Sequence, residues 1–230
     1  VETSEKKYPR FRDINFSNLF NKNTVRNAFF MTAGIFIFII GVIIYGIILN
    51  SMEDSIEEVM LEKGFAELND VNLIIDRKNF SLTLYEDTVF IKSYRISLGR
   101  NNTISKTKAN DGATPVGEYK ICDIDTAHKY YKFLKLNYPN LNDAADALRR
   151  GVVTQSQFDQ LKFEFYYEEC PKLETELGGN VGLHGIGRLN YIFKNLPFVY
   201  NWTDGSIALK NESIDEILSV TGKGTKVVIK

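Results

Sequence analysis

The chain has 230 residues, 44% of them hydrophobic, with 28 lysines and arginines against 29 aspartates and glutamates, for a formal net charge of -1. That size holds one ordinary domain plus an accessory segment, and the even charge, with no basic stripe carrying interleaved aromatics in the C-terminal bulk, argues against nucleic acid as a partner. Two histidines exclude a histidine-rich metal centre, and two cysteines outside any CxxC pair give no metal site; no pattern points to a cofactor.

Residues 1–27 are polar with scattered aromatics and read as a cytoplasmic tail. Residues 28–49 run AFFMTAGIFIFIIGVIIYGIIL without a charge. About 20 apolar residues in one helix cross the hydrocarbon core of a bilayer. A cleavable signal peptide has a shorter apolar core, followed by small residues at the cut. Here Asn50-Ser51-Met52-Glu53-Asp54 follows, so the segment reads as an uncleaved transmembrane signal anchor. Lys6, Lys7, Arg10, Arg12, Lys22 and Arg26 precede it; Glu53, Asp54, Glu57, Glu58 and Glu62 follow, with Lys63 the one nearby cation. Basic flanks stay cytoplasmic. The expected topology is a single pass with the N-terminus inside and the C-terminal bulk outside.

Residues 50–70 read as a helical linker. Met52, Ile56, Val59, Met60 and Phe65 recur near helical spacing over 51–69, which predicts one amphipathic helix packed on the domain. From Val71 the period becomes two. Segments 72–76, 80–85 and 88–98, with a turn at Glu86-Asp87 and a stop at Gly99, predict an antiparallel meander. Gly112-Ala113-Thr114-Pro115-Val116-Gly117 is loop chemistry, because proline fixes φ and glycine permits unusual values. Strands are expected at 118–122 and 130–136. A helix over 142–150, capped by Asn142 or Asp143, stops at Gly151, and a second over 154–163 opens at Thr154 or Ser156. Short strands at 181–184 and 206–209, a helix at 212–219 capped by Asn211, a turn at 221–225 and a strand at 226–230 close the chain. Residues 71–230 are enough for a real core. Cys122 and Cys170 are either a disulfide, which an oxidising compartment permits, or two small buried apolar side chains; pairing depends on geometry that spacing does not reveal.

Two segments carry the chemistry: Asn180-Val181-Gly182-Leu183-His184-Gly185 and Trp202-Thr203-Asp204-Gly205-Ser206-Ile207-Ala208-Leu209. A histidine flanked by glycines, and a small residue after a glycine turn and before an apolar run, lay out a base and a nucleophile on adjacent strands. A nucleophile needs a base within hydrogen-bond reach, and the base needs an orienting partner. Ser206 and His184 are the candidate pair. Gly205 leaves room for a substrate carbonyl, and the backbone N–H groups near Gly205 and Ser206 are candidate oxyanion donors. The bland alternatives are a turn serine and a structurally bonded histidine. Gly185, Thr203 and Asp204 are candidate substrate contacts. Arg188 either meets a substrate carboxylate or stands solvated.

Six motifs in order resemble the L,D-transpeptidase (YkuD-type) family of cell-wall cross-linking enzymes. The strands over 73–98 ending in Gly99 look like the family's opening. Gly112-Ala113-Thr114-Pro115-Val116-Gly117-Glu118-Tyr119 is similar to its Gly-x-x-Thr-Pro-x-Gly-x-Tyr/Phe motif. Leu136-Asn137-Tyr138-Pro139-Asn140 before an alanine-rich helix resembles a subgroup with a helical insertion. Leu183-His184-Gly185 resembles Ile-His-Gly, and the segment from Thr203 to Leu209, with Asn211 beyond, resembles Thr/Ser-x-Gly-Cys-Ile-x-Leu/Met. Gly224-Thr225-Lys226-Val227 resembles the closing Gly-Thr-x-Val strand. The resemblance covers residues 71–230.

It implies a mainly β domain with short helices, a β-sandwich-like catalytic fold, here preceded by one transmembrane helix in a bacterial inner (cytoplasmic) membrane. The implied partner is the peptidoglycan stem peptide. The family's cysteine attacks the peptide bond after the third residue of a tetrapeptide donor, D-alanine leaves, and an amine of a neighbouring stem takes the acyl group. His184 stands at the general base. Ser206 stands where the family has cysteine, and Asp204 where many members carry a second histidine. A thiol is partly ionised at neutral pH and intrinsically nucleophilic, whereas a hydroxyl must lose its proton during attack. A chain with Ser206 is therefore expected to be inactive or very slow. Three readings of the serine follow: an introduced substitution that silences the enzyme, a natural pseudoenzyme that binds peptidoglycan or scaffolds envelope proteins, or a serine acyltransferase.

Overall fold

The computed structural model describes residues 21–167, 170–196 and 198–230. Most of the expected cytoplasmic tail, including Lys6, Lys7, Arg10 and Arg12, lies outside the described residues. The first element is helix α1 (Lys22–Ser51), capped by the Asn21 side chain. It is long and apolar enough to cross a membrane and stands almost wholly exposed. The single amphipathic helix expected over 51–69 is shorter. Ser55 and Glu58 form a reciprocal capping box that opens α2 (Ile56–Glu62), and Gly64 at φ 79° ends it. Ile56 is 1% exposed, and Val59, Met60, Phe65 and Leu68 pack against the core, so this linker is part of the folded body.

Eight strands follow: β1 (Val71–Asp76), β2 (Ser81–Glu86), β3 (Val89–Arg95), β4 (Gly117–Asp125), β5 (Phe133–Leu136), β6 (Gly182–Gly185), β7 (Ile207–Leu209) and β8 (Lys226–Ile229). They form one sheet in the order β3-β2-β1-β8-β4-β5-β6-β7. The first three pair antiparallel as the expected meander. Alternation sets its inner face: Leu73, Ile75, Leu82 and Leu84 are fully buried. The closing strand β8 is inserted at the sheet's middle, parallel to β1 and antiparallel to β4. The expected long strand over 88–98 leaves β2 at Arg95. Beyond it Ser97 bridges Ala208 on β7 and Gly99 bridges Thr203. The segment after one edge strand thus meets the other edge strand, and the sheet is nearly closed. Mainly β structure with short helices is the architecture the residues imply.

Helices α3 (Leu141–Arg149) and α4 (Gln155–Tyr167) are inserted between β5 and β6. The cap of α3 is Asn140 rather than Asn142 or Asp143: its side chain accepts from the N–H groups of Asn142 and Asp143, and the Asp143 carboxylate answers the Asn140 N–H. Thr154 opens α4 through an exchange with Gln157, and the helix runs four residues past Phe163. Cys122 on β4 and Cys170 beyond α4 are joined in a disulfide with Cα atoms 5.3 Å apart, which fastens the helical insertion to the sheet. After β6 come a 3-10 turn (Gly187–Leu189), α5 (Asn190–Phe193), β7 and α6 (Asn211–Val220).

Candidate active site

β6 and β7 pair in parallel, with His184 opposite Ala208 and Leu183 opposite Ile207. Side chains alternate along a strand. Ser206, one residue before β7, therefore shares the face of Ala208 and His184. Both side chains line a cleft of about 590 Å³, together with Asp123, Asp125, Tyr130 and Trp202. The Ser206 hydroxyl lies against the backbone leading into β6: its Oγ accepts the Gly182 N–H at 3.3 Å and donates to the Asn180 carbonyl at 3.4 Å.

His184 is 3% exposed. Its Nδ1 lies 2.7 Å from the Gly185 carbonyl oxygen. A carbonyl only accepts, so Nδ1 carries the proton and Nε2 keeps a free lone pair. Burial pushes the imidazole pKa down to about 4, against the opposing pull of the Gly185 carbonyl; His128 and Lys129 add to the lowering. The ring is thus a neutral base at neutral pH. It is walled by aromatics: Tyr130 stacks on it at 5.1 Å, and Trp202 meets it edge-on at 5.5 Å.

The turn that presents Ser206 is held by side-chain hydrogen bonds. Thr203 is 4% exposed, and its hydroxyl donates to the Ser206 carbonyl at 2.5 Å while accepting the Gly205 N–H at 3.2 Å. The Gly205 amide expected as an oxyanion donor is therefore engaged within the turn. Asp204 stands exposed on the cleft rim, paired with Arg100 at 2.5 Å. Gly185 orients His184 and leaves space for the chain: a β-carbon there would fall 2.5 Å from Asn211 Oδ1 and 2.9 Å from Tyr131 Cβ. Arg188 lies exposed on the 3-10 turn, outside the residues that line the cleft.

Asn211 is the first residue of α6, not a side-chain cap. Its amide oxygen accepts the Gly187 N–H at 2.9 Å and its nitrogen donates to the Gly187 carbonyl at 3.2 Å, which ties the segment after His184 to α6. Tyr130 was expected in a strand over 130–136. β5 starts only at Phe133 because Tyr131 takes a left-handed conformation, φ 81°. In the freed segment His128, Lys129 and Tyr130 line the cleft, and Tyr131 and Lys132 moor it to Asp215. His128, Lys129, Tyr130, Phe133, Asp123 and Asp125 are cleft residues that the linear reading missed. The one sequence signal was the density of aromatic and basic residues over 128–133. Among the described residues, no group of three or more His, Cys, Asp or Glu side chains could hold a metal ion.

Residues 70–229 match the YkuD family, the L,D-transpeptidase catalytic domain. No curated protein matches the chain. Among solved structures, a mutant of the helical cell shape determining protein Pgp2 from Campylobacter jejuni is similar at 19% identity and TM-score 0.47, over 76% of this chain and 54% of that one. Bd1075 from Bdellovibrio bacteriovorus is similar at 17% identity and TM-score 0.43, over 71% of this chain and 48% of that one. An L,D-transpeptidase from Xylanimonas cellulosilytica is similar at 13% identity and TM-score 0.40, over 75% and 68%. The chain thus spans about half the length of the first two. The family match runs over more than half of the residues and takes in both His184 and Ser206, so the chain belongs to the YkuD family of L,D-transpeptidase catalytic domains.

Proposed function

We propose that this chain is a membrane-anchored acyltransferase scaffold for peptidoglycan stem peptides, with Ser206 at the nucleophile position and His184 as its general base. One observation carries the reading: Ser206 and a neutral, buried His184 share one face of a parallel strand pair and open into one cleft. In the proposed reaction the nucleophile attacks the peptide carbonyl after the third residue of a tetrapeptide. Its proton passes to His184 Nε2 and then to the departing amine of D-alanine. The amine of a second stem attacks the resulting acyl-enzyme, and the nucleophile leaves with a proton. The helix over 28–49 would hold the domain at the outer face of the inner membrane, where its substrate lies; its length, apolarity and exposure support that placement.

With serine in place of cysteine the first step is slow, because a hydroxyl is barely ionised at neutral pH. A second reading draws on the hydroxyl's own partners, Gly182 and Asn180. A side chain held on the backbone suits a pseudoenzyme that binds stem peptides or an envelope protein without turning over.

Intact-mass spectrometry separates the readings. The full chain, as it stands and as Ser206→Cys, is incubated with a disaccharide-tetrapeptide and with a carbapenem. An adduct on the cysteine form alone supports a transpeptidase site silenced at one atom. An ester on the serine form supports a serine acyltransferase. Adducts on neither form sink the enzyme reading and leave the binding one.

A further inference from the structure

α1 does not end at the edge of the domain; its last turns are packed against it. Gly46 is buried, and a β-carbon there would lie 2.0 Å from the Asn195 carbonyl oxygen. Only a glycine lets the backbone after α5 come this close to the helix. Four residues on, Asn50 Nδ2 donates to the Lys194 carbonyl at 3.0 Å and to Asn195 Oδ1 at 2.8 Å. Its Oδ1 accepts from Lys210 Nζ at 2.6 Å, and that ammonium also pairs with Glu53 at 2.6 Å. The domain therefore meets the helix at a fixed point. Asn195 sits level with Gly46, inside the charge-free run over 28–49 and roughly 5 Å short of its end at 1.5 Å per residue.

The chain on either side of that contact exposes large apolar side chains. Tyr191 is 66% exposed, Tyr200 60%, Phe198 59%, Leu189 51% and Ile192 42%. Single exposed apolar residues need no explanation, but a cluster beside an apolar helix does. Tyrosines with an apolar body and a polar tip are the side chains of the membrane–water boundary. Arg188, exposed beside Leu189, adds a cation that suits anionic headgroups.

We propose that Leu189, Tyr191, Ile192, Phe198 and Tyr200 are seated in the lipid interface of the same bilayer that α1 crosses. The occupant of the patch is lipid, at the outer leaflet. This rests on the reading of α1 as a membrane span. Tyr130 and Trp202 line both the apolar pocket behind Leu189 and Tyr200 and the Ser206 cleft. The seating therefore sets the height of the cleft above the membrane.

The test uses the full chain in vesicles of phosphatidylethanolamine and phosphatidylglycerol. A nitroxide label is placed at one added cysteine in each of Ile37→Cys, Tyr191→Cys, Phe198→Cys and Ile104→Cys. Cys122 and Cys170 are bonded to each other and take no label. Collision with oxygen and with a water-soluble nickel complex reports depth. Labels at 191 and 198 are expected at a shallow lipid depth, with an oxygen-to-nickel ratio severalfold above that at 104, and the label at 37 near the bilayer centre. Aqueous values at 191 and 198, with 37 still deep, overturn the seating and leave the span intact. Labels at 191 and 198 shielded from both agents overturn it in favour of a protein partner. An aqueous value at 37 overturns the span reading itself, and the seating with it.

Discussion

A β-carbon on Gly205 would stand 2.5 Å from the carbonyl oxygen of Ala113, and Gly205 itself takes φ 128°. The turn that presents Ser206 is thus cast against the loop containing Thr114 and Pro115. Thr114 Oγ1 accepts the Gly99 N–H at 2.9 Å, and Gly99 bridges Thr203, so three distant segments close on one point.

Gly205→Ala is expected to lower stability by about 1–3 kcal/mol, because an L side chain is strained at that φ and has no space. Urea unfolding measures it. If the proposed function holds, in a Ser206→Cys background the same change should also slow carbapenem acylation, since it moves the side chain at position 206. An unchanged unfolding midpoint would show that the turn can shift away from Ala113.

Asp111 holds the same loop. Its carboxylate accepts N–H groups from Thr107, Lys108 and Ala113 and the Lys106 ammonium at 3.1 Å. Burial pushes the carboxyl pKa up, but these donors outweigh burial and hold it down at about 2. The folded value lies below the ordinary 3.8, so the stability it confers is present above pH 4 and lost as pH falls through about 2. The side chains of Lys106 and Asp111 are 4% and 5% exposed. Asp111→Asn leaves Lys106 buried without its counter-charge, at an expected cost of about 3 kcal/mol in denaturant unfolding at pH 7. A cost below about 0.5 kcal/mol, the range of surface substitutions, would mean that Lys106 swings out to water.

His184 makes stability depend on pH in a different window. The unfolded imidazole takes a proton near 6.5, the folded one only near 4. Between these values the unfolded state binds more protons, so stability falls as pH falls. From pH 7 to pH 5 the loss is about 2 kcal/mol. His184→Gln should remove this share of the slope when urea midpoints are compared at the two pH values. Parallel curves for the two proteins would show that the folded His184 titrates normally.

The Cys122–Cys170 bond closes a loop of 48 residues around the helical insertion. Its reduction is expected to cost about 2–4 kcal/mol, read as a lower thermal midpoint in dithiothreitol. Cys122→Ala/Cys170→Ala should show the same loss and no further response to reductant.

Much of this molecule is legible in the linear order of its residues. A charge-free run of the right length specifies α1. Strict alternation specifies β1 and β2, and a glycine-flanked histidine with a Gly-Ser turn locates β6 and β7. Each of these signals is local: periodicity tells which face of an element is buried. It does not tell what covers that face. Asn211 looks like a helix cap in sequence, yet its amide is used on Gly187. The part Thr203 plays in the turn, where its hydroxyl bonds to Gly205 and Ser206, is not visible in sequence. Tyr130 reads as strand, yet it stacks on His184. The two cysteines leave pairing open until β4 and the end of α4 are brought within 5.3 Å. The sequence alone determined most of the elements and the candidate pair, Ser206 and His184. The tertiary structure decided the neutral state of His184, the aromatic wall around it and the clamp between α1 and the domain, because each depends on desolvation and partners supplied by segments far away in the chain.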